Sequence, residues 1–167
     1  MPSKILVTGA TGNVGSKVVE RLSATGASVR ASVQSSSKAD KLKNAGVEPV
    51  EFDFTNPETL RAAFDGVEKV FLLTPFVPNM VELGLRAIEA AKKAGVKYIV
   101  RMSAMGADAE PAIQLGKWHR EVEKAVESSG IPYTILRPNS FMQNYSTALS
   151  GDIKAQSAFY LPVGDAK

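Results

Sequence analysis

The sequence predicts an α/β protein with a doubly wound parallel sheet, the Rossmann arrangement, three layers deep (αβα). Three observations lead there. Runs of β-branched and aliphatic residues alternate along the chain with stretches of helical periodicity. The fourth run, "EKVFLL", is fully apolar at its end, as a central parallel strand is. Three glycines, Gly9, Gly12 and Gly15, separate the first strand from the first helix. Strands separated by helices imply right-handed crossovers and a parallel sheet covered on both faces.

The elements follow in order. Ile5, Leu6, Val7 and Thr8 form the first strand, and Val14, Val18, Val19 and Leu22 recur at helical spacing after it. "SVRASV", residues 28–33, is the second strand, followed by a short polar helix over 38–45 that Gly46 ends. "VEPVEF" is the third strand and runs to Asp53. In "TNPETLRAAFDG" the side chain of Asn56 caps a helix, Pro57 takes its first position, and Gly66 lies past its end. After "EKVFLL" comes a helix over 79–94 stopped by Gly95, then the fifth strand "KYIVRM". A helix over 112–129 leads to the sixth strand, "PYTILR".

Composition bounds the chemistry. At 167 residues the chain has the size of one domain with a real core, and its 44% apolar and 22% charged residues are ordinary for a soluble protein. With no cysteine, disulfides, thiol catalysis and cysteine-bound metal are excluded. His119 is the single histidine, which excludes a multi-histidine metal site within one chain, and no metal is expected. The net charge is +3, and its densest part, "SKADKLK", reads as a solvated helix face rather than a nucleic-acid surface. No membrane-spanning run is present and "MPSK" leads straight into the first strand, so the expectation is a cytoplasmic protein without a signal or transit segment. No G-x-S-x-G elbow is present, which disfavours a hydrolase.

In a doubly wound sheet, ligands sit at the carboxyl ends of the strands where the strand order reverses. The glycine corner falls there. Gly9 permits a sharp turn, Gly12 lets the backbone approach a pyrophosphate, and Gly15 lets helix pack on strand. The helix N-terminus offers unpaired N–H groups and the positive end of its dipole to that anion, with Thr11 and Asn13 beside it. The bland alternative is a tight turn without a ligand.

The segments "VTGATGNVGS", "EFDFTNPETL", "VFLLTP", "KYIVRMSAMGA" and "HREVEKAVESSGIPYTILRPNSFMQN" resemble the NmrA-like, NAD(P)H-binding branch of the atypical short-chain dehydrogenases/reductases. The resemblance covers nearly the whole chain, and "SGIPYTILRP" with His119 and Glu123 upstream is its narrowest mark. It implies that the backbone of Gly9, Ala10, Thr11, Gly12, Asn13 and Val14 holds the pyrophosphate. Asp53 and Phe54 would flank the adenine, the alternative for Asp53 being a turn or cap residue. Thr74, Pro75 and Phe76 would line the bridge toward the nicotinamide ribose, with Ser103 near that ribose and Pro138, Asn139 and Phe141 walling the nicotinamide.

Many relatives in the wider superfamily use Tyr-x-x-x-Lys, where lysine lowers the pKa of a proton-donating tyrosine. Here "LGKWH" puts Leu115 at the tyrosine position and His119 at the lysine position, which argues against a tyrosine acid. His119 is the catalytic candidate, orienting the ribose or supplying a proton; the alternative is a helix histidine bonded to Glu123 one turn later. Lys117 and Trp118 read as surface and packing residues. A quinone or similar conjugated acceptor suits the missing acid, since proximity delivers hydride and water supplies protons. The resemblance therefore implies an NAD(P)H-dependent reductase of such small electrophiles. Its alternative is a non-catalytic NAD(P)-sensing regulatory protein.

The stretch "VRASVQSSSK" puts no Asp or Glu at the end of the second strand to accept from a ribose diol. Gln34, Ser35, Ser36, Ser37 and Lys38 can instead meet a 2′-phosphate, so NADP is expected, with NAD as the alternative. The chain ends at "AFYLPVGDAK", where relatives continue into another strand and a small substrate-binding subdomain. Residues 1–150 are thus expected to form the cofactor-binding domain and 151–167 the start of that subdomain. The expected partner is a small molecule, with neither nucleic acid nor membrane. Without the missing part the sixth strand would be left as an open edge that invites pairing with another chain, a homodimer being one such pairing.

Overall fold

A computed structural model describes residues 3–34, 42, 47–110, 112–146 and 150–158. The chain forms two compact units, divided between Arg137 and Pro138. The first holds strands β1 (Lys4–Val7), β2 (Ser28–Val33), β3 (Glu48–Glu51), β4 (Lys69–Leu72), β5 (Tyr98–Met102) and β6 (Tyr133–Leu136). Its helices are α1 (Asn13–Ala24), α2 (Pro57–Phe64), α3 (Met80–Lys93) and α4 (Gln114–Glu127). The second unit holds two short helices, α5 (Gln143–Ser146) and α6 (Ser150–Gln156).

All six strands pair in parallel, in the order β3-β2-β1-β4-β5-β6. This is the doubly wound order expected, and it reverses between β1 and β4. Each expected strand is present. The expected helix over 38–45 lies outside the described residues except for Leu42, which is buried.

Alternation along the strands divides the core in two. Leu6, Val70, Leu72 and Ile99 point to one face, where Leu60, Phe64, Ile88, Val122 and Val126 from α2, α3 and α4 close over them. Val7, Phe71, Val29 and Val33 point to the other, where α1 contributes Val19 with Val14, Val18 and Leu22 at its margin. Helices on both faces make the three layers. Asn56 caps α2 as its sequence position predicts, Oδ1 accepting from the Glu58 N–H at 2.9 Å with Pro57 at the first turn.

One stabilising contact has no counterpart in the sequence reading. Arg30 of β2 is buried; its Nη1 donates to the carbonyls of Ala62, Ala63 and Asp65 where α2 ends. Its Nε and Nη2 donate to Glu48 of β3 at 3.0 and 2.7 Å. The orphan carbonyls of a helix C-terminus thus receive a cation from the sheet beneath. At the far side, among the described residues, β6 is the edge strand of the sheet, with Tyr133 and Leu136 exposed.

Candidate functional site

The corner after β1 is built around two glycines whose places strongly disfavour a side chain. Gly9 has φ +63°, and a Cβ there would meet Leu73 Cδ2 at 2.9 Å. A Cβ on Gly15 would lie 2.1 Å from the Gly9 carbonyl oxygen, so α1 packs directly on the turn. Gly12 differs. Its φ of −86° suits any residue, and an added Cβ would meet only the Gly9 oxygen at 3.3 Å. A Cβ is therefore tight against one backbone oxygen but not excluded, so packing demands glycine here less than at Gly9 or Gly15.

Gly12 is also the N-cap of α1, and no side chain caps that helix. Thr11, Gly12 and Asn13 are exposed and Val14 is half-buried, while the side chain of Ala10 is fully buried. The segment therefore offers backbone N–H groups and a dipole end, with no carboxylate in its first turn. Thr8 fixes the corner against the next strand. Its hydroxyl donates to the Leu73 carbonyl at 2.8 Å and accepts from the Leu73 N–H at 2.7 Å. This stitch joins β1 to β4 where the strand order reverses.

Beside it, at the ends of β4 and β5, lies a buried polar network. Arg101 is wholly buried; Nη2 donates to Thr74 Oγ1 at 3.1 Å and to His119 Nδ1 at 3.3 Å, and Nη1 to the Leu72 carbonyl at 3.2 Å. Burial lowers the Arg101 pKa to about 10, with the charge of Glu123 opposing, so the guanidinium stays charged near neutrality. Burial also lowers the His119 pKa, the Arg101 charge adds to that, and despite Glu123 it falls to about 4. His119 is neutral at pH 7. The expected alternative, a bond to Glu123, is replaced by the bond to Arg101, because Glu123 is fully occupied elsewhere.

Glu123 is wholly buried and accepts from Ser103 Oγ at 2.6 Å, Arg120 Nη1 at 2.9 Å, and Arg137 Nε and Nη2 at 2.9 and 2.7 Å. Burial pushes its carboxyl up, but the hydrogen bonds from Arg137, Ser103 and Arg120 outweigh that and take the pKa to about 2. Arg137 also reaches Asp108 after β5. Ser103 thus spends its hydrogen on Glu123 and offers only lone pairs to a ligand.

The remaining expected residues fall as follows. Thr74 is buried, Pro75 half-buried and Phe76 72% exposed, its ring 6.4 Å from that of half-buried Trp118. Asp53 is exposed, with Oδ1 accepting from the N–H and hydroxyl of Thr55, both at 2.7 Å, which is the turn-residue arrangement. Phe54 is half-buried, edge-on to Phe52 at 4.8 Å. Gln34 is exposed just beyond β2, and Ser35, Ser36, Ser37 and Lys38 lie outside the described residues. Pro138, Asn139 and Phe141 belong to the second unit, where Asn139 Oδ1 accepts from the Ser140 N–H. Arg101 and Arg137 were not singled out from the sequence. Among the described residues no helix is long and apolar enough to cross a membrane, and no cluster of His, Asp and Glu could hold a metal ion.

Sheet order, glycine corner and polar network together define a protein of the Rossmann class. Within it the chain belongs to the NmrA-like family, whose profile matches residues 1–163. It is 40% identical to an NAD(P)H azoreductase of Xenophilus azovorans over 98% of this chain and 57% of that protein. The NADPH-dependent quinone oxidoreductase of Escherichia coli, solved in complex with NADPH, superposes with a TM-score of 0.81 at 35% identity, covering 90% of this chain and 54% of that one. The triphenylmethane reductase of Citrobacter, solved with NADP(H), gives 0.79 at 30% identity over 91% of this chain and 55% of that one. The chain spans a little over half the length of these relatives.

Proposed function

We propose that the chain binds NADPH along Gly9, Ala10, Thr11, Gly12, Asn13 and Val14 and serves hydride transfer to a small quinone-like electrophile. Gly12 carries this reading. It is exposed at an uncapped helix N-terminus, and packing constrains it least of the three corner glycines, an added Cβ meeting one backbone oxygen at 3.3 Å, so the space it leaves suits a phosphate. The names of the relatives, two of them solved with this dinucleotide, support it.

In this reading Gln34 and Lys38 meet the 2′-phosphate, with NAD the alternative if they do not. Asp53 and Phe54 border the adenine; Thr74, Pro75, Phe76 and Ser103 border the second ribose; Pro138, Asn139 and Phe141 border the nicotinamide. Residues 1–150 take the cofactor-binding role, and 151–167 begin the part that meets substrate. When bound, NADPH supplies the hydride. His119, neutral with Nδ1 accepting from Arg101, donates from Nε2 and orients its ligand rather than releasing a proton. Leu115 brings no acid to the tyrosine position, so the acceptor must take its proton from water.

Initial rates of NADPH oxidation with a panel of quinones, azo dyes and triphenylmethane dyes test the proposal. Turnover with quinones is the expected result. Saturable NADPH binding without turnover of any acceptor would favour the alternative, a dinucleotide-sensing regulatory module. Absence of NADPH binding overturns both.

A further inference from the structure

Arg101 is the bulkiest side chain among the described residues that is wholly shielded from solvent. Each of its hydrogen-bond partners is neutral: a main-chain carbonyl, a hydroxyl and an imidazole nitrogen. Its Nε is buried without a partner. A guanidinium stripped of water and bonded only to neutral acceptors is costly, and an apolar side chain of similar volume would fill the space at lower cost. The position is therefore poorly explained by packing.

We infer that Arg101 is a positioning residue whose Nη2 sets the hydrogens of Thr74 and His119, leaving both side chains as donors at the carboxyl edge of β4 and β5. The amino nitrogen carries two hydrogens and cannot accept. One hydrogen goes to Thr74 Oγ1, so the hydroxyl keeps its own hydrogen for another acceptor. The other goes to His119 Nδ1, so the neutral ring carries its hydrogen on Nε2. Ser103, two residues along the chain from Arg101, is set the opposite way by Glu123 and can only accept. Two donors and one acceptor suit a ligand rich in hydroxyl or carbonyl oxygen. That this ligand is the cofactor rests on the proposed function; the hydrogen arrangement does not.

The groups facing His119 make the arrangement one-sided. Arg101 approaches from β5, Thr74 shares its nitrogen from beyond β4, and Glu123 lies one turn along α4. Glu123 is itself neutralised by Arg120 and Arg137. Protonating Nδ1 would break the Arg101 bond and set two cations against each other.

Because the chain has a single histidine, ¹⁵N-histidine labelling of the protein without an affinity tag gives one imidazole to follow. At pH 7 the long-range ¹H–¹⁵N pattern should be that of the neutral Nε2–H tautomer, with a titration midpoint well under 6. Arg101→Met should raise the midpoint by at least roughly one pH unit and mix the tautomers. Arg101→Gln, whose amide is uncharged and can turn either a donor or an acceptor toward Nδ1, should mix the tautomers and raise the midpoint. An Nδ1–H or mixed ring in the wild type, or an unchanged spectrum in the variants, overturns the inference. If Arg101→Met fails to fold, the wild-type tautomer and Arg101→Gln decide. NADPH should bind Arg101→Met at least roughly tenfold more weakly than wild type. Equal binding with a scrambled tautomer overturns the ligand-facing role. A wild type that shows the tautomer yet binds no NADPH overturns the proposed function alone.

Discussion

Gly15 stands so close to Gly9 that a Cβ on Gly15 would lie 2.1 Å from the Gly9 carbonyl oxygen and 2.6 Å from its carbonyl carbon. The first turn of α1 and the turn that precedes it are one packed object, and backbone on both sides leaves nothing to yield. Gly15→Ala should therefore cost about 3 kcal/mol or more. Gly12→Ala, at an N-cap with ordinary φ, should cost about 1 kcal/mol. Urea denaturation of the two variants checks this, and a Gly15→Ala protein as stable as the wild type would contradict it.

The Glu123 carboxylate joins β5 through Ser103, the end of β6 through Arg137 and its own helix through Arg120. Removing one partner of a buried pair usually costs about 3–5 kcal/mol. Arg120 and Arg137 keep 29% and 32% of their side chains exposed, so water can take over part of their solvation. Glu123→Leu should accordingly lose about 2–3 kcal/mol. A denaturation midpoint unchanged from wild type would show that the clamp contributes nothing.

Two depressed pKa values give the stability a pH dependence of defined sign. His119 ordinarily titrates at 6.5 and in the folded chain at about 4, so between those values the unfolded chain binds a proton the folded chain refuses. Stability must then fall as pH is lowered through that window. Glu123, ordinarily at 4.5 and here at about 2, repeats the effect at lower pH, its stabilisation being present above 4.5 and lost toward 2. Calorimetric melting from pH 7 to 4.5 should show Tm falling in the wild type and falling less in His119→Gln. Parallel curves for the two proteins would rule out His119 as the source.

In the proposed site, cofactor choice rests on the residues that follow β2. Gln34 stands where an acidic side chain would favour a ribose diol. NADPH should be preferred over NADH by roughly tenfold, because one charge-assisted contact from Lys38 contributes about 1.5–3 kcal/mol at most. Competitive titrations should find that Lys38→Ala loses most of the preference without weakening NADH, and that Gln34→Asp turns it toward NADH. Equal wild-type affinities would refute this assignment.

The fold was legible because its signals are local and repeated. Apolar runs, caps such as Asn56 and the spaced glycines each mark an element without reference to any other. The glycine corner was legible for the same reason, since the spacing of Gly9, Gly12 and Gly15 marks it without reference to Leu73, against which it packs. The network around Arg101 was not, since Thr74, Arg101, His119 and Glu123 meet only when β4, β5 and α4 come together. A signal did exist. Arg30 in "SVRASV" and Arg101 in "KYIVRM" are charges inside strands expected to be covered on both faces, and such charges are buried only with partners. Reading each strand for the residue that violates its environment would have found both.

The account stands on Gly12 serving a ligand more than it serves the fold. Calorimetric titration of NADPH into the wild type and into Gly12→Val tests that directly, with circular dichroism showing that the variant is folded. Saturable one-site binding by the wild type, weakened at least roughly hundredfold in the folded variant, is the expected result. A folded Gly12→Val protein that binds NADPH as tightly as the wild type would contradict it.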